Sequence, residues 1–84
     1  MDDNEYRTHL IVKAYEFAEK IPSICITSEN WSLTTNNGDF ELKHGNILIL
    51  SVTNKSTNLD SNVSRSNQLP YFVEQWLINQ GSLH

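Results

Sequence analysis

Three histidines, one cysteine and ten carboxylates carry whatever acid–base, nucleophilic or metal chemistry this 84-residue chain could perform. Cys25 would act as a nucleophile only as a thiolate, which needs a base or a cation beside it, and the bases on offer, His9 and His44, are distant in sequence. His9, His44 and His84 fall on an expected helix, on a turn and at the chain's end, without the paired spacing of a metal ligand set. A lone cysteine excludes a thiolate zinc cage and an internal disulfide. The paired carboxylates Asp2 and Asp3, and Glu16 and Glu19, occupy helix-start or surface positions where capping and salt bridging account for them. Gly38 and Gly45 belong to hairpin turns and form no phosphate loop. The expectation is a protein that is not an enzyme, with no cofactor and no metal.

Composition bounds the rest. A chain of this length hides roughly 60–65% of its unfolded surface on folding, enough for one modest core, so one domain is expected over residues 1–84. The apolar and charged fractions are ordinary, which excludes a membrane-spanning or compositionally disordered chain. Ten acidic against six basic side chains give a net charge of −4, which opposes phosphate backbones and mildly favours basic partners. The start, Met-Asp-Asp-Asn-Glu, lacks a basic region and leads into an amphipathic segment. No secretory leader is therefore expected, and the lone cysteine fits a reducing cytoplasm. The Asn-x-Ser triplets at Asn30, Asn54 and Asn62 then follow from an Asn- and Ser-rich composition.

The elements that must position any site are readable in order. Asp2, three residues before Glu5, resembles half of a capping box, and Tyr6, Leu10, Ala14, Phe17 and Ile21 recur at helical spacing, widened by Ile11 and Ala18. A helix is expected over about 4–20, with Glu16 and Lys20 paired on its outer side and Pro22 ending it. Ser23 to Thr27 alternates as a half-buried strand, with Ile24 and Ile26 on one face and Cys25 on the other, where a small cysteine is expected as buried filler. Trp31 to Thr35 and Phe40 to Lys43 flank Asn37-Gly38, the pair that a type I′ turn prefers because both central residues need positive φ. That turn sets Thr35 against Phe40 and Leu33 against Leu42.

Ile47 to Val52 is the only uninterrupted apolar run, and it reads as the central strand of a meander over about 23–52. A two-residue turn through His44-Gly45-Asn46 turns Ile47 and Ile49 to the face of Phe40 and Leu42; a three-residue turn with a bulge turns Leu48, Leu50 and Val52 there instead. Either register leaves an apolar stripe on the open face. Residues 53–68, ten of sixteen being Ser, Thr or Asn, are expected as a polar loop pinned by Leu59 and Val63. Pro70 at the first helical position and Gly81 as a stop bracket a helix of about 69–80 with Leu69, Phe72, Val73, Trp76 and Leu77 on one face.

The expected architecture is α+β, α-β-β-β-(β)-α, an antiparallel meander of three or four strands flanked by an N-terminal and a C-terminal helix. Its element order is similar to that of the double-stranded-RNA-binding domain. Such a domain grips phosphates through basic residues at the start of its second helix, where this chain carries Gln68-Leu-Pro-Tyr-Phe-Val-Glu-Gln with Glu74 the only charge, so no site carries across.

A small acidic chain without reaction chemistry is expected to work by binding another protein, in the manner of an inhibitor, an immunity protein or an antagonist encoded by a phage or mobile element. The expected contact residues are Glu29, Asp39 and Glu41, facing a basic partner, together with Ile47, Leu48, Ile49 and Leu50 on the central strand. The alternatives are a homodimer pairing through the spare face of Ile47 to Val52 and, on weaker grounds, a nucleic-acid-binding domain.

Overall fold

The structure, a computed structural model, describes residues 2–80. The expected helix stop at Gly81 lies outside the described residues, as does His84.

Helix α1 (Asp3–Lys20) forms where the periodic stripe predicts it and buries Tyr6, Leu10, Ala14, Phe17 and Ala18. Its first turn is closed by Asp2, whose Oδ1 accepts from the Glu5 amide at 2.8 Å, satisfying one of the amides a helix start leaves unpaired. The Ile21 amide donates to Phe17 O at 2.8 Å, and Pro22 then stops the helix. Glu16 pairs with Lys13 at 3.3 Å rather than with Lys20. Both positions face the same solvated side, and the i,i+3 spacing is as reachable as i,i+4.

Five strands follow in a single antiparallel sheet whose spatial order is the chain order: β1 (Ser23–Ser28), β2 (Trp31–Asn36), β3 (Asp39–His44), β4 (Ile47–Val52) and β5 (Thr57–Leu59). The expected α+β meander between two helices is present, with one more strand than expected. β5 lies inside the segment read as loop. It is short and polar, so no alternation announces it, and it owes its strand conformation to the free edge of β4, pairing Leu59 with Leu50 and Thr57 with Val52.

The β2–β3 hairpin has the expected register, Thr35 opposite Phe40 and Leu33 opposite Leu42, around Asn37 and Gly38 with φ of 53° and 89°. In the β3–β4 hairpin the two alternatives merge. The turn has two residues, Gly45 and Asn46, so Ile47 opposes His44, but the register then shifts at Ile49, after which Leu50 and Val52 oppose Leu42 and Phe40. A bulge places consecutive residues on one side of a strand, so Ile49 and Leu50 are both buried, at 7% and 0% exposed. The run looked two-faced because it changes face midway. Of its apolar side chains only Ile47 and Leu48 reach solvent, and the expected apolar stripe on the open face is absent.

Helix α2 (Tyr71–Ile78) starts from Pro70 as its cap rather than its first residue, with the Val73 and Glu74 amides donating to Pro70 O at 3.0 Å each. It buries Val73 and Leu77, while Phe72 and Trp76 meet edge to face at 5.5 Å and stay half-buried. The Gln80 side-chain amide reaches Lys13 O at 3.0 Å and ties the end of α2 to α1. α1 crosses β3, β4 and β5, with α2 alongside it. Leu33, Phe40, Leu42, Leu50 and Val52 line the covered face, and Phe17 meets Phe40 edge to face at 5.8 Å. Each such side chain contributes about 1.5–3 kcal/mol by leaving water. Among the described residues no helix is long and apolar enough to cross a membrane.

Candidate functional site

With both helices on one side, the other face of the sheet is open. β2, β3 and β4 present Thr34, Glu41, Lys43, Leu48 and Ser51 there, because antiparallel neighbours opposite one another share a face. The right-handed twist of the strands and the bulge in β4 leave a shallow groove of about 340 Å³, lined by Thr34, Asn36, Asp39, Glu41, Leu48 and Ser51 among others. Asp39 flanks the Asn37-Gly38 turn at one end of the groove. Glu41 stands two residues further along the same strand, β3, its carboxylate 3.5 Å from Lys43 Nζ, and Leu48 on β4, 40% exposed, forms the apolar side.

Such a groove has two carboxylates at solvent, hydroxyl and amide groups between them and a hydrocarbon patch beside them. That combination accommodates the aliphatic stem and charged head of a lysine or arginine. Lys43 already shares Glu41, so an incoming cation would compete with an exposed pair worth little.

Glu29 is not part of this groove. It occupies the β1–β2 turn, where Glu29 and Asn30 both have positive φ, 51° and 68°. Successive turns of a meander fall at opposite ends of a sheet, and six-residue β2 separates Glu29 from Asp39 by roughly 17–20 Å. Counting strand residues would have shown this from the sequence. The seven expected contact residues therefore divide: Asp39, Glu41 and Leu48 share the open groove; Glu29 and Ile47 share the opposite end of the sheet; Ile49 and Leu50 pack inside.

That opposite end is built from two neighbouring turns. The Gly45 amide donates to Asn30 O at 2.7 Å, joining the β1–β2 and β3–β4 turns, and the His44 ring stacks on Trp31 with centroids 4.4 Å apart and planes 8° from parallel. Ile47, opposite His44, is 61% exposed. Behind the stack lies a cleft of about 200 Å³ between Trp31, His44 and Ile49 on the sheet and Asp60, Asn62 and Asn67 on the loop before α2.

The loop is held by groups that sequence reading missed. The Arg7 guanidinium donates to Leu59 O at 3.1 Å, Asp60 O at 2.8 Å and Val63 O at 2.7 Å, and Asp3 accepts from the Arg65 amide at 2.9 Å. Tyr6 Oη accepts from the Leu69 amide at 3.1 Å and meets the Glu74 carboxylate. Burial raises the Tyr6 hydroxyl's pKa; the Leu69 amide opposes that rise and Glu74's charge adds to it. Burial raises the Glu74 pKa too, against the opposing pull of His9's charge and the hydrogen bond from Tyr6. Nothing local in the sequence signals the loop that folds back onto Arg7, or the Tyr6 hydroxyl that Glu74 meets across the two helices.

Cys25, expected as filler, is exposed on the open face of β1, its Sγ 3.9 Å from Thr34 Oγ1. β1 is an edge strand, and among the described residues no second layer covers this face of it. Among the described residues no group of three or more His, Cys, Asp or Glu side chains stands close enough to hold a metal ion. Comparison with protein-family models, with curated proteins and with solved structures gave no match.

Proposed function

We propose that this chain is a protein-binding module that uses the open face of its sheet to hold a basic segment of another protein, in the manner of an inhibitor or antagonist. The observation that carries the reading is the groove in which Asp39, Glu41 and exposed Leu48 converge. A net charge of −4 assists the approach of a basic partner. The groove is rigid, since it stands on paired strands and not on loops, so little ordering entropy is lost on contact. Trp31 and Phe40 turn toward the helices, so neither offers bases a stacking platform on this face.

The test is capture of partners from lysate by tagged protein, compared with a variant carrying Asp39→Lys and Glu41→Lys, both at exposed positions. A stoichiometric basic partner that is lost from the double variant, and whose association with the wild type weakens as salt rises, supports the reading. A partner retained equally by both proteins sinks it.

A further inference from the structure

Among the hydroxyls that line the open groove, Ser51 stands apart. Thr34 Oγ1 donates to Cys25 Sγ at 3.9 Å, and Thr53 Oγ1 accepts from the Ser56 amide at 3.2 Å. Ser51 is only 8% exposed, yet among the described residues its hydroxyl has no hydrogen-bond partner. A polar group hidden in this way is destabilising until something meets it. Among the described residues no unpaired side-chain oxygen or nitrogen is sealed from solvent, so the little of Ser51 that remains accessible includes Oγ. Ser51 opposes Glu41 and lines the groove, and its oxygen therefore opens onto the groove's floor.

Three acceptor groups thus surround one space. Asp39 and Glu41 are alternate residues of β3, about 6.6 Å apart along the strand. Ser51 lies across from Glu41, its Cα about 4.5–5.5 Å away. Lys43, next in the row of Asp39 and Glu41, pairs with Glu41, and among the described residues Asp39 has no ion pair. The spread of these groups favours one kind of cation over another. All acceptors of an ammonium lie about 2.8 Å from a single nitrogen, so two of them stand at most about 5.6 Å apart. A guanidinium carries five N–H groups on three nitrogens in one plane, and it spans acceptors about 7 Å apart.

We infer that the groove is an arginine site, taking an arginine side chain of the partner in preference to lysine; this rests on the basic-segment reading above and names its head group. The guanidinium donates to Asp39 and Glu41 at the rim and to Ser51 Oγ on the floor, and its methylene stem lies along Leu48. The carboxylates attract either cation. The wide spacing and the unpaired hydroxyl discriminate between them.

The test is an amide NMR titration of isotope-labelled protein with arginine and with lysine, each as the N-acetyl amide, up to about 30 mM. The two probes carry the same charge, so screening is equal in both titrations. Shifts are expected at Glu41, Leu48 and Ser51, with arginine bound about 3- to 10-fold more tightly than lysine. Ser51→Ala, with its fold checked by circular dichroism, should weaken arginine about 3- to 10-fold and lysine less. Arginine dimethylated on its terminal nitrogens keeps its charge but loses donors, and it should bind no better than lysine.

Equal binding of arginine and lysine in the groove overturns the arginine assignment and leaves the basic-segment reading standing. A preference for arginine that is undiminished in Ser51→Ala overturns the floor contact on which the assignment rests. Absence of groove shifts with either probe also overturns it. Partner capture that still depends on Asp39 and Glu41 then keeps the basic-segment reading, and capture that does not removes both.

Discussion

The two edges of this sheet receive opposite treatment. On the β5 side the chain commits Arg7 to three carbonyls, Leu59 O, Asp60 O and Val63 O, and Tyr15 Oη to Thr57 Oγ1 at 2.7 Å, so helix α1 shields a strand of only three residues. On the β1 side a strand twice as long carries no charge and, among the described residues, has no cover. An edge closed by a guanidinium is stabilised within the chain, and its loop is fastened to the helix that carries that guanidinium. An edge held only from its inner side keeps its outward amides available. The contrast teaches that bareness at β1 is not a general property of so small a domain, since the same chain closes its other edge.

The largest expected effect comes from opening the closed edge. Arg7→Ala removes charge-assisted bonds to three carbonyls and should cost about 2–3 kcal/mol, a fall in Tm of roughly 10–20 °C for a domain of this size. Hydrogen exchange should accelerate at Leu59 to Val63 while β2 and β3 stay protected. Arg7→Lys should recover less than half of the loss, because an ammonium cannot present the planar fork. If Arg7→Ala is as stable as the wild type, the edges do not differ in the way described.

The next effect concerns how β1 is attached. Thr35 Oγ1 is buried; it donates to Ile21 O at 2.7 Å and accepts from the Ile24 amide at 3.0 Å, joining the end of α1, β1 and β2. Thr35→Val keeps the shape, deprives those two groups of the hydroxyl and should lose about 1–2 kcal/mol by chemical denaturation. The loss should show first as faster exchange in β1. Uniform loosening of the whole sheet would mean that β1 has no separate attachment.

These positions also mark how far the sequence could be read. The Asn37-Gly38 hairpin, the Asp2 cap and the stripe of α1 were legible because each rests on local chemistry: φ > 0 at two adjacent residues, an oxygen beside a free amide, a repeat near 3.6. Ile49 was not, because alternation counts residues and a bulge adds one without changing their type. β5 was not, because Thr57-Asn58-Leu59 forms a strand on account of β4 and Arg7, both far away in sequence. Of the contact residues, the acidic pair Asp39 and Glu41 was correctly placed on one hairpin. Glu29 was wrongly joined to them, since proximity in sequence across a strand is separation in space.

A smaller effect tests the open side. Glu29 holds φ at 51°, a left-handed conformation that favours glycine or asparagine, on the turn that follows β1. Glu29→Gly relieves the side-chain strain but loosens the unfolded chain, and Glu29→Asn relieves most of it without that loss. Glu29→Asn should therefore gain about 0.5–1 kcal/mol, measured as a rise in Tm on dilute protein to exclude association. A drop in stability would mean that the Glu29 side chain makes a stabilising contact, and the turn would no longer count as strained.

The smallest expected effect is one of pH and belongs to the closed side. Glu74, at the contact of α2 with α1, has its pKa raised chiefly by burial, with His9's charge and the Tyr6 hydrogen bond opposing. A carboxyl with a raised folded-state pKa binds its proton more tightly when folded. Its contribution is fully present below the ordinary glutamate range and is lost as pH rises through the folded pKa. At neutral pH the half-buried charge is thus a mild liability. Glu74→Gln keeps an oxygen for the Tyr6 hydroxyl, removes the charge and should be slightly more stable than the wild type at pH 7, with the advantage vanishing as pH falls below about 4. Paired urea titrations at both pH values decide it. If Glu74→Gln is less stable at neutral pH, attraction to His9 outweighs burial there, and the seam that fastens the closed side is an ion pair in place of a neutral contact.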